Sequence, residues 1–422
     1  FRRVLFRSVS YPAFDLNNPR VLPPLEEYEG LSGQDYTEKL FETWKSTANS
    51  FVYEPGSVSK VLTAAIGLET ASFNMDTIFN DKTGMVEYED GSILYCVAYP
   101  RHHGEQTTEQ ALVNSCNPAF IEMRKRIGMG TFYDYMEAFG LPYRVGVKIG
   151  VEAFPWFLER ETLRVIEADT MGYGHGFSVT PIQMITAVNA VVNDGKLVAP
   201  RIVERLTTDE GDLIEEFLPK VTRQVISKET SKLMKGMMTK VVKNVPSYLY
   251  YDVVNFGMGG KTGTSDLPER DSSGKAKKIT SYFMTAPIED PEYSVLFVID
   301  RPTVDTHSFI LVEYAAGILV DTLRYDGYRG DRADAQLIDI PNFIGLSNEQ
   351  AELRLSEMDK EGDRLKPIFA NFHEGGETRM VVNQFPEPGE QVRYGATIIL
   401  DFGDLSPAPL PPEETPSESE TE

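Results

Sequence analysis

Two β-patterned runs around residues 277–300 constrain the fold more than any other stretch. They are Lys277-Lys278-Ile279-Thr280-Ser281-Tyr282-Phe283-Met284 and Tyr293-Ser294-Val295-Leu296-Phe297-Val298-Ile299-Asp300, and after Ala286-Pro287 only I-E-D-P-E lies between them. So short a connection predicts a hairpin, and therefore an antiparallel sheet. Helical signals flank it. Thr180-Pro181-Ile182-Gln183 supplies an N-cap, a proline at the first helical position and a capping-box glutamine, ahead of an apolar run that Gly195 would stop. Ser308 to Tyr325 is apolar enough for a buried helix, and Ser57 to Glu69 is helix-compatible through Ala64, Ala65, Ile66 and Leu68. No repeat at solenoid spacing is visible. The chain reads as α+β.

A length of 422 residues exceeds what one core usually carries, which predicts a large domain and at least one smaller one. Residues 9–327 alternate helix-like and strand-like patterns without a long linker. Residues 328–338 are polar and glycine-containing, as a linker would be, and 339–403 form a second compact unit. The tail, 404–422, has five prolines, six acidic residues and no basic one, and is expected to be disordered. Residues 1–8, F-R-R-V-L-F-R-S, read poorly as the start of a domain and include the peptide that a common sequencing adaptor encodes. They are set aside as a non-native, assembly-derived segment, leaving the expectation that the chain is the C-terminal part of a longer protein. No apolar run reaches the roughly 18 residues needed to cross a bilayer.

Charge narrows the function. With 41 Lys+Arg against 64 Asp+Glu, a net −23, and no basic stripe interleaved with aromatics, nucleic acid is not an expected partner. None of the five histidines is spaced from a cysteine or another histidine as metal ligands usually are, and neighbours His102 and His103 diverge, so no metal is expected. Cys96 and Cys116 fit neither a disulfide framework nor a zinc motif; free thiols and a single bridge both remain open. Gly172, Gly174 and Gly176 superficially resemble a dinucleotide loop, but no strand pattern leads into them, so no cofactor is expected.

The stretch Y-E-P-G-S-V-S-K, residues 53–60, carries the chemistry. Ser57 stands at a helix start, where free N–H groups and the helix dipole favour developing negative charge. Lys60 lies three residues on and shares its face. A neutral lysine there can take the serine proton and create an attacking alkoxide. Ser59 has no lysine at that spacing. The pattern alone is common, and it recurs at Ser272 to Lys275. Its usual companions sharpen the choice. Ser115-Cys116-Asn117 and Lys261-Thr262-Gly263 are present, but so are decoys at Ser72-Phe73-Asn74 and Lys82-Thr83-Gly84. The decoys end within 27 residues of Ser57, too little chain to build a second wall and a sheet edge. The other set is spaced by 58 and then 146 residues, enough for whole helical layers, so those three motifs can converge from separate elements. Lys82-Thr83-Gly84 reads as a turn.

With these motifs the chain resembles the transpeptidase domain of class B penicillin-binding proteins from about residue 9 to 327. The likeness extends to S-Y-P-A-F-D-L-N-N-P (10–19), Y-E-P-G-S (53–57), A-L-V-N-S-C-N-P-A-F (111–120), G-Y-G-H-G-F-S-V-T-P-I-Q (172–183), G-G-K-T-G-T-S (259–265) and A-P-I-E-D-P-E-Y-S-V (286–295). Val58-Ser59 departs from the family's frequent Thr-Phe at packing positions. The second unit resembles a PASTA domain through I-P-N-F-I-G-L-S-N-E-Q-A (340–351), with a Ser347/Gln350 capping box, and Q-F-P-E-P-G-E-Q-V-R-Y-G-A-T-I-I-L (384–400). The implied fold is a penicillin-binding protein/β-lactamase-like antiparallel sheet flanked by helices, with a helical subdomain, followed by one helix on a small sheet.

The resemblance implies D,D-transpeptidation. Ser57 attacks the carbonyl between the two terminal D-alanines of a peptidoglycan stem peptide, and an acceptor amine resolves the acyl-enzyme. It assigns Lys60 as base, Ser115 as proton relay, and Asn117 to the donor amide and to orienting Lys60. Lys261 sustains the electrostatics around Ser115 and the substrate carboxylate, which Thr262 and Thr264 bind beside Gly263. The backbone N–H groups of Ser57 and Thr264 form the oxyanion hole. β-Lactams should acylate Ser57. Implied partners are a membrane glycosyltransferase and cell-wall assembly proteins, in a bacterium, with the domain on the outer face of the cell membrane under a single-pass anchor. Cys116 sits inside the second motif, where it reads first as a small buried hydrophobe; the sharper alternative is that oxidation or a bridge to Cys96 distorts Ser115 and Asn117. The PASTA unit suggests contact with muropeptides or the enzyme's own domain, or a spacer role. Two rivals stand beside this reading: a β-lactamase or carboxypeptidase, in which water resolves the same acyl-serine, and a wall-binding scaffold or β-lactam sensor without turnover.

Overall fold

The computed structural model describes residues 8–147, 150–243, 252–271, 273–302, 308–326, 328, 337–361, 365–370, 380–393 and 397–403. The chain divides into two compact units, Phe1–Asp331 and Arg332–Glu422. The proposed linker falls mainly, and the acidic tail and all but Ser8 of the first eight residues entirely, outside the described residues.

In the first unit the expected hairpin forms. Strands β10 (Ala276–Ala286) and β11 (Tyr293–Asp300) pair antiparallel, with Phe283 opposite Leu296. On the other edge of β10 lies β9 (Gly259–Arg270), also antiparallel, with Lys261 opposite Phe283 and Thr264 opposite Thr280. The sheet order is β11-β10-β9. The helix Ser308–Tyr325 packs on β10 and β11 as its apolar density required. It buries Leu311, Ala315, Leu319 and Leu323 against Tyr282 and Met284. Each large side chain so buried stabilises the layer by about 1.5–3 kcal/mol.

A larger core lies under the helices. Its axis is α2 (Lys60–Glu69), following α1 (Gly33–Thr43), and it is apolar nearly all round, as a helix enclosed by other helices must be. Around it stand α4 (Asn117–Ile127), which follows α3 (Thr108–Val113), and then α5 (Met129–Ala138), α6 (Val165–Met171), α7 (Pro181–Val192) and α8 (Lys228–Val242). Thr180 caps α7, accepting from the Gln183 amide, as its sequence indicated. The helix stops at Val192, however, not at Gly195. Asn193 closes it and Asp194 enters the left-handed region, leaving Gly195 to pack against the Ile226 carbonyl. Between α2 and α3 run four short strands, β1 (Ile78–Asp81) with β4 (Gly104–Thr107) and β2 (Met85–Glu87) with β3 (Ile93–Tyr95), and between α7 and α8 four more, β5 (Lys196–Val198) with β8 (Val221–Gln224) and β6 (Arg205–Thr207) with β7 (Leu213–Glu216). Among the described residues no helix is long and apolar enough to cross a membrane.

The second unit holds a helix, Asn348–Glu361, and its own sheet. Thr397–Gly403 is central, parallel to Lys366–Ala370 and antiparallel to Met380–Phe385. Ser347 and Gln350 form the expected reciprocal cap, at 2.9 and 3.3 Å. Phe343, Ala351, Val381, Ile398 and Leu400 make its core.

Candidate active site

Ser57 occupies a tight 3-10 turn, Gly56–Ser59, that leads directly into α2; the helix expected from Ser57 onward begins in α form only at Lys60. The turn is held from behind. Gly56 N–H donates to the Gly174 carbonyl at 3.0 Å, Ser59 Oγ donates to the Gly56 carbonyl at 2.9 Å, and Tyr53 pairs with Val179. Ser59 is therefore buried structural packing, while Ser57 stays half-exposed. Gly174 has φ +102°, and a Cβ there would stand 1.8 Å from the Gly56 carbonyl oxygen. Gly174→Ala should cost on the order of 3 kcal/mol or more and lower the melting temperature and the acylation rate together; an unshifted melt would contradict this packing.

One turn on, Lys60 points into the protein and is fully buried. Its ammonium donates to the Ser115 carbonyl at 2.6 Å, to Ser115 Oγ at 3.2 Å and to Asn117 Oδ1 at 2.7 Å. Phe120 lies beneath it, 5.4 Å from ring centroid to Nζ. These acceptors come from the kink between α3 and α4. Ser115 takes φ +54°, which turns the chain, and Pro118 starts α4 at once. Asn117 Nδ2 donates to the Tyr95 carbonyl at 2.8 Å, which leaves its oxygen to face Lys60.

The third wall is β9. Buried Lys261 donates to Ser115 Oγ at 3.1 Å and to the Thr262 carbonyl at 3.1 Å. Ser115 Oγ thus lies between two lysines. Thr262 and Thr264 alternate with the buried Lys261, Gly263 and Ser265, so both project on the less buried face. Gly263 lets β9 lie on the serine turn, since a Cβ there would stand 2.6 Å from the Pro55 carbonyl and from Ser281 Oγ. The Thr264 backbone is pressed equally closely against Gly56, which brings the segments bearing the Ser57 and Thr264 N–H groups together.

Two buried ammonium groups on one hydroxyl cannot both be comfortably charged. Burial, and then the charge of Lys261, push Lys60 well below the ordinary lysine range, with Cys116 and Cys96 opposing. Burial brings Lys261 down to about 7. A lysine neutral near physiological pH can act as a base.

The structure therefore gathers Lys60, Ser115, Asn117 and Lys261 into one hydrogen-bonded network, beside Ser57, Thr262, Gly263 and Thr264. It keeps the decoys away. Ser72 bonds to Thr70, Asn74 closes a turn onto Asp76, and Lys82-Thr83-Gly84 is the turn expected, tied to Asp81 by the Gly84 amide. Ser272 lies outside the described residues, and Ser273 and Lys275 fold onto Asp271. Sequence reasoning missed the role of Tyr95, whose backbone carbonyl carries no sequence signal. It read the glycines at 172, 174 and 176 only as a poor dinucleotide loop and as part of a family motif, without seeing that Gly174 lets the backbone approach the serine turn. Finally, the fold brings Asp81, Cys96, His103 and Cys116 together with their ligand-type atoms within 4.8 Å of one another. Both cysteines are free and buried.

Comparison with known proteins places this geometry. Residues 21–317 match the family model described as the penicillin binding protein transpeptidase domain. The chain is 30% identical over 386 residues to "Stage V sporulation protein D" of Bacillus subtilis, covering 88% of this chain and 56% of that protein. It is 26% identical to "Penicillin-binding protein PbpB" of Mycolicibacterium smegmatis, covering 70% of this chain and 46% of the other. The chain thus spans about half the length of these curated relatives. Among solved structures, the transpeptidase domain of Burkholderia pseudomallei penicillin-binding protein 3 superposes with TM-score 0.57 at 23% identity, covering 68% of this chain and 84% of that one. The D,D-transpeptidase domain of a peptidoglycan glycosyltransferase from Eggerthella lenta gives 0.59 at 22%, covering 68% and 69%.

Proposed function

Since the chain belongs to the penicillin-binding protein transpeptidase family, in its class B branch, we propose that it is a peptidoglycan D,D-transpeptidase working through an acyl-enzyme on Ser57. The observation that carries this reading is the buried Lys60 Nζ, shared between Ser115 Oγ and Asn117 Oδ1, one helical turn from a half-buried serine.

Neutral Lys60 takes the Ser57 proton as Oγ attacks the carbonyl between the terminal D-alanines. The oxyanion forms against the Ser57 and Thr264 N–H groups, donors whose counterparts in other enzymes contribute about 3–4 kcal/mol. The proton passes through Ser115, beside the Lys261 charge, to the leaving D-alanine nitrogen. Thr262 and Thr264 bind the donor carboxylate and Asn117 its amide. An amine from a neighbouring stem then resolves the ester. A β-lactam enters as a donor mimic and acylates Ser57.

The reaction uses nascent glycan strands, so a membrane glycosyltransferase and other wall-assembly proteins are the partners it calls for, at the outer face of a bacterial cell membrane to which the whole protein is anchored. The 339–403 unit is assigned as a PASTA domain on its helix-and-sheet architecture and its opening and closing motifs.

A chromogenic cephalosporin tests the reaction class. The transpeptidase reading expects a burst of about one equivalent followed by slow release. Sustained rapid turnover would instead assign the chain to the hydrolases.

A further inference from the structure

Behind the wall that carries Ser115 and Asn117, four side chains meet. Asp81 ends β1, Cys96 follows β3, His103 precedes β4 and Cys116 caps α4. Cys96 Sγ lies 4.0 Å from Cys116 Sγ and 3.5 Å from His103 Nδ1. Asp81 Oδ2 lies 3.3 Å from His103 Nδ1 and 3.4 Å from Cys116 Sγ. A tetrahedral zinc ion, bonded at about 2.3 Å to sulfur and about 2.0–2.1 Å to nitrogen and oxygen, imposes edges of about 3.7 Å between sulfurs, about 3.5 Å from sulfur to nitrogen or oxygen, and about 3.3 Å from nitrogen to oxygen. Four of the six edges agree to within about 0.3 Å, and the other two, from Cys96 to Asp81 and from Cys116 to His103, lie within 4.8 Å, so binding would draw the ligands together by side-chain rotation.

The donor chemistry points the same way. Two sulfurs, an imidazole nitrogen and a carboxylate form a set that borderline-soft zinc accepts and that magnesium or calcium would not. Asp81, Cys96 and Cys116 are buried and His103 is partly so, which makes the cluster a closed one. Asp81 is already oriented: the Gly84 amide donates to its Oδ1 at 2.8 Å and the His103 backbone amide to its Oδ2 at 3.1 Å, which turns Oδ2 toward the cluster with lone-pair capacity to spare. Sequence spacing hid this arrangement, because the four residues come from three separate short elements and a helix cap.

We propose that Asp81, Cys96, His103 and Cys116 form a structural zinc site that braces the Ser115–Asn117 wall. The coupling is short. Cys116 is bonded covalently to both Ser115 and Asn117, and Cys96 follows Tyr95, whose carbonyl holds the Asn117 amide. Loading takes Zn²⁺ from solution, forms two Zn–S bonds, one Zn–N and one Zn–O bond, and releases the two thiol protons to solvent. No oxidant is needed. A Cys96–Cys116 disulfide is the competing outcome, and would have to close the sulfurs to about 2.05 Å.

The test uses the full chain, equilibrated with micromolar zinc under a non-thiol reductant and then dialysed, with metal read by mass spectrometry. The zinc site predicts about one zinc per chain, falling below about a tenth of an equivalent in Cys96→Ser and His103→Gln. Because those variants can misfold, cobalt is also loaded into the unmodified protein. A thiolate-to-cobalt charge-transfer band, together with two thiols shielded from a thiol reagent until a chelator is added, supports the site. Zinc below about a tenth of an equivalent with freely reactive thiols, a disulfide under these conditions, or full zinc retention in folded ligand variants overturns it. The proposal stands independently of the acyl-transfer reading. A metal-free chain that penicillin still labels sinks the zinc site alone.

Discussion

Ser57→Ala should lower acylation by benzylpenicillin and by D-alanyl-D-alanine donors by about 10⁴- to 10⁶-fold, the scale on which a catalytic unit collapses when its nucleophile is removed. The size of the loss follows from the geometry. In the proposed mechanism the other side chains of the cleft move a proton, hold charge or bind the donor, and the two neighbouring serines are not available as substitutes. Ser59 is buried and committed to the Gly56 carbonyl, and Ser115 Oγ lies between two ammonium groups. Stability should barely move. Ser57 is half-exposed, and its hydroxyl is not among the acceptors of the Lys60 ammonium, so the change should stay within about 0.5 kcal/mol. A melting curve beside acylation kinetics separates the two. A variant that melts like the parent and is still acylated would place the nucleophile elsewhere.

Replacing Lys60 is the second large loss. Lys60→Gln should slow acylation by about 10²- to 10⁴-fold, the usual contribution of a general base. Lys60→Arg should do no better, because a guanidinium cannot give up its proton in this range. The sign of the pH dependence follows from the same burial. In the proposed mechanism the neutral amine is the working form, and burial together with Lys261 holds its pKa down. Wild-type acylation should therefore remain fast well below the ordinary lysine range and fall as pH drops through the depressed value. Lys261→Met removes one of the two lowering influences. The acid limb should then move to higher pH, apart from any overall loss caused by the missing bond to Ser115. Stopped-flow acylation across pH checks this, and a limb that stays put or moves to lower pH would count against Lys60 as the base.

What the sequence disclosed, and what it withheld, divides along the range of the interactions. The β10–β11 hairpin and the Thr180/Gln183 cap are local. A short turn and four consecutive residues specify them, and both appear where they were read. The three motifs were legible because each is a short string, and because their spacing leaves room for the layers that α2, the α3–α4 kink and β9 provide. Non-local packing was not legible. The serine turn is 3-10 because Gly174 and Val179 hold the chain ahead of α2, a constraint applied from more than a hundred residues away. Asn117 is fixed through a backbone carbonyl, which every residue type possesses. The Asp81–Cys96–His103–Cys116 cluster arises only when two small strand pairs fold against a helix cap, at spacings that match no metal motif.

The central claim is that an acyl group passes through Ser57 to an amine, and trapping that group tests it most directly. The protein is mixed with a stem peptide ending in D-Ala-D-Ala, quenched rapidly and mapped by mass spectrometry, with and without an amine acceptor. The account predicts an adduct of the donor minus one D-alanine on the peptide containing Ser57, discharged to the amine as a new amide when acceptor is present. An adduct on another residue, or discharge to water alone with acceptor in excess, would contradict it.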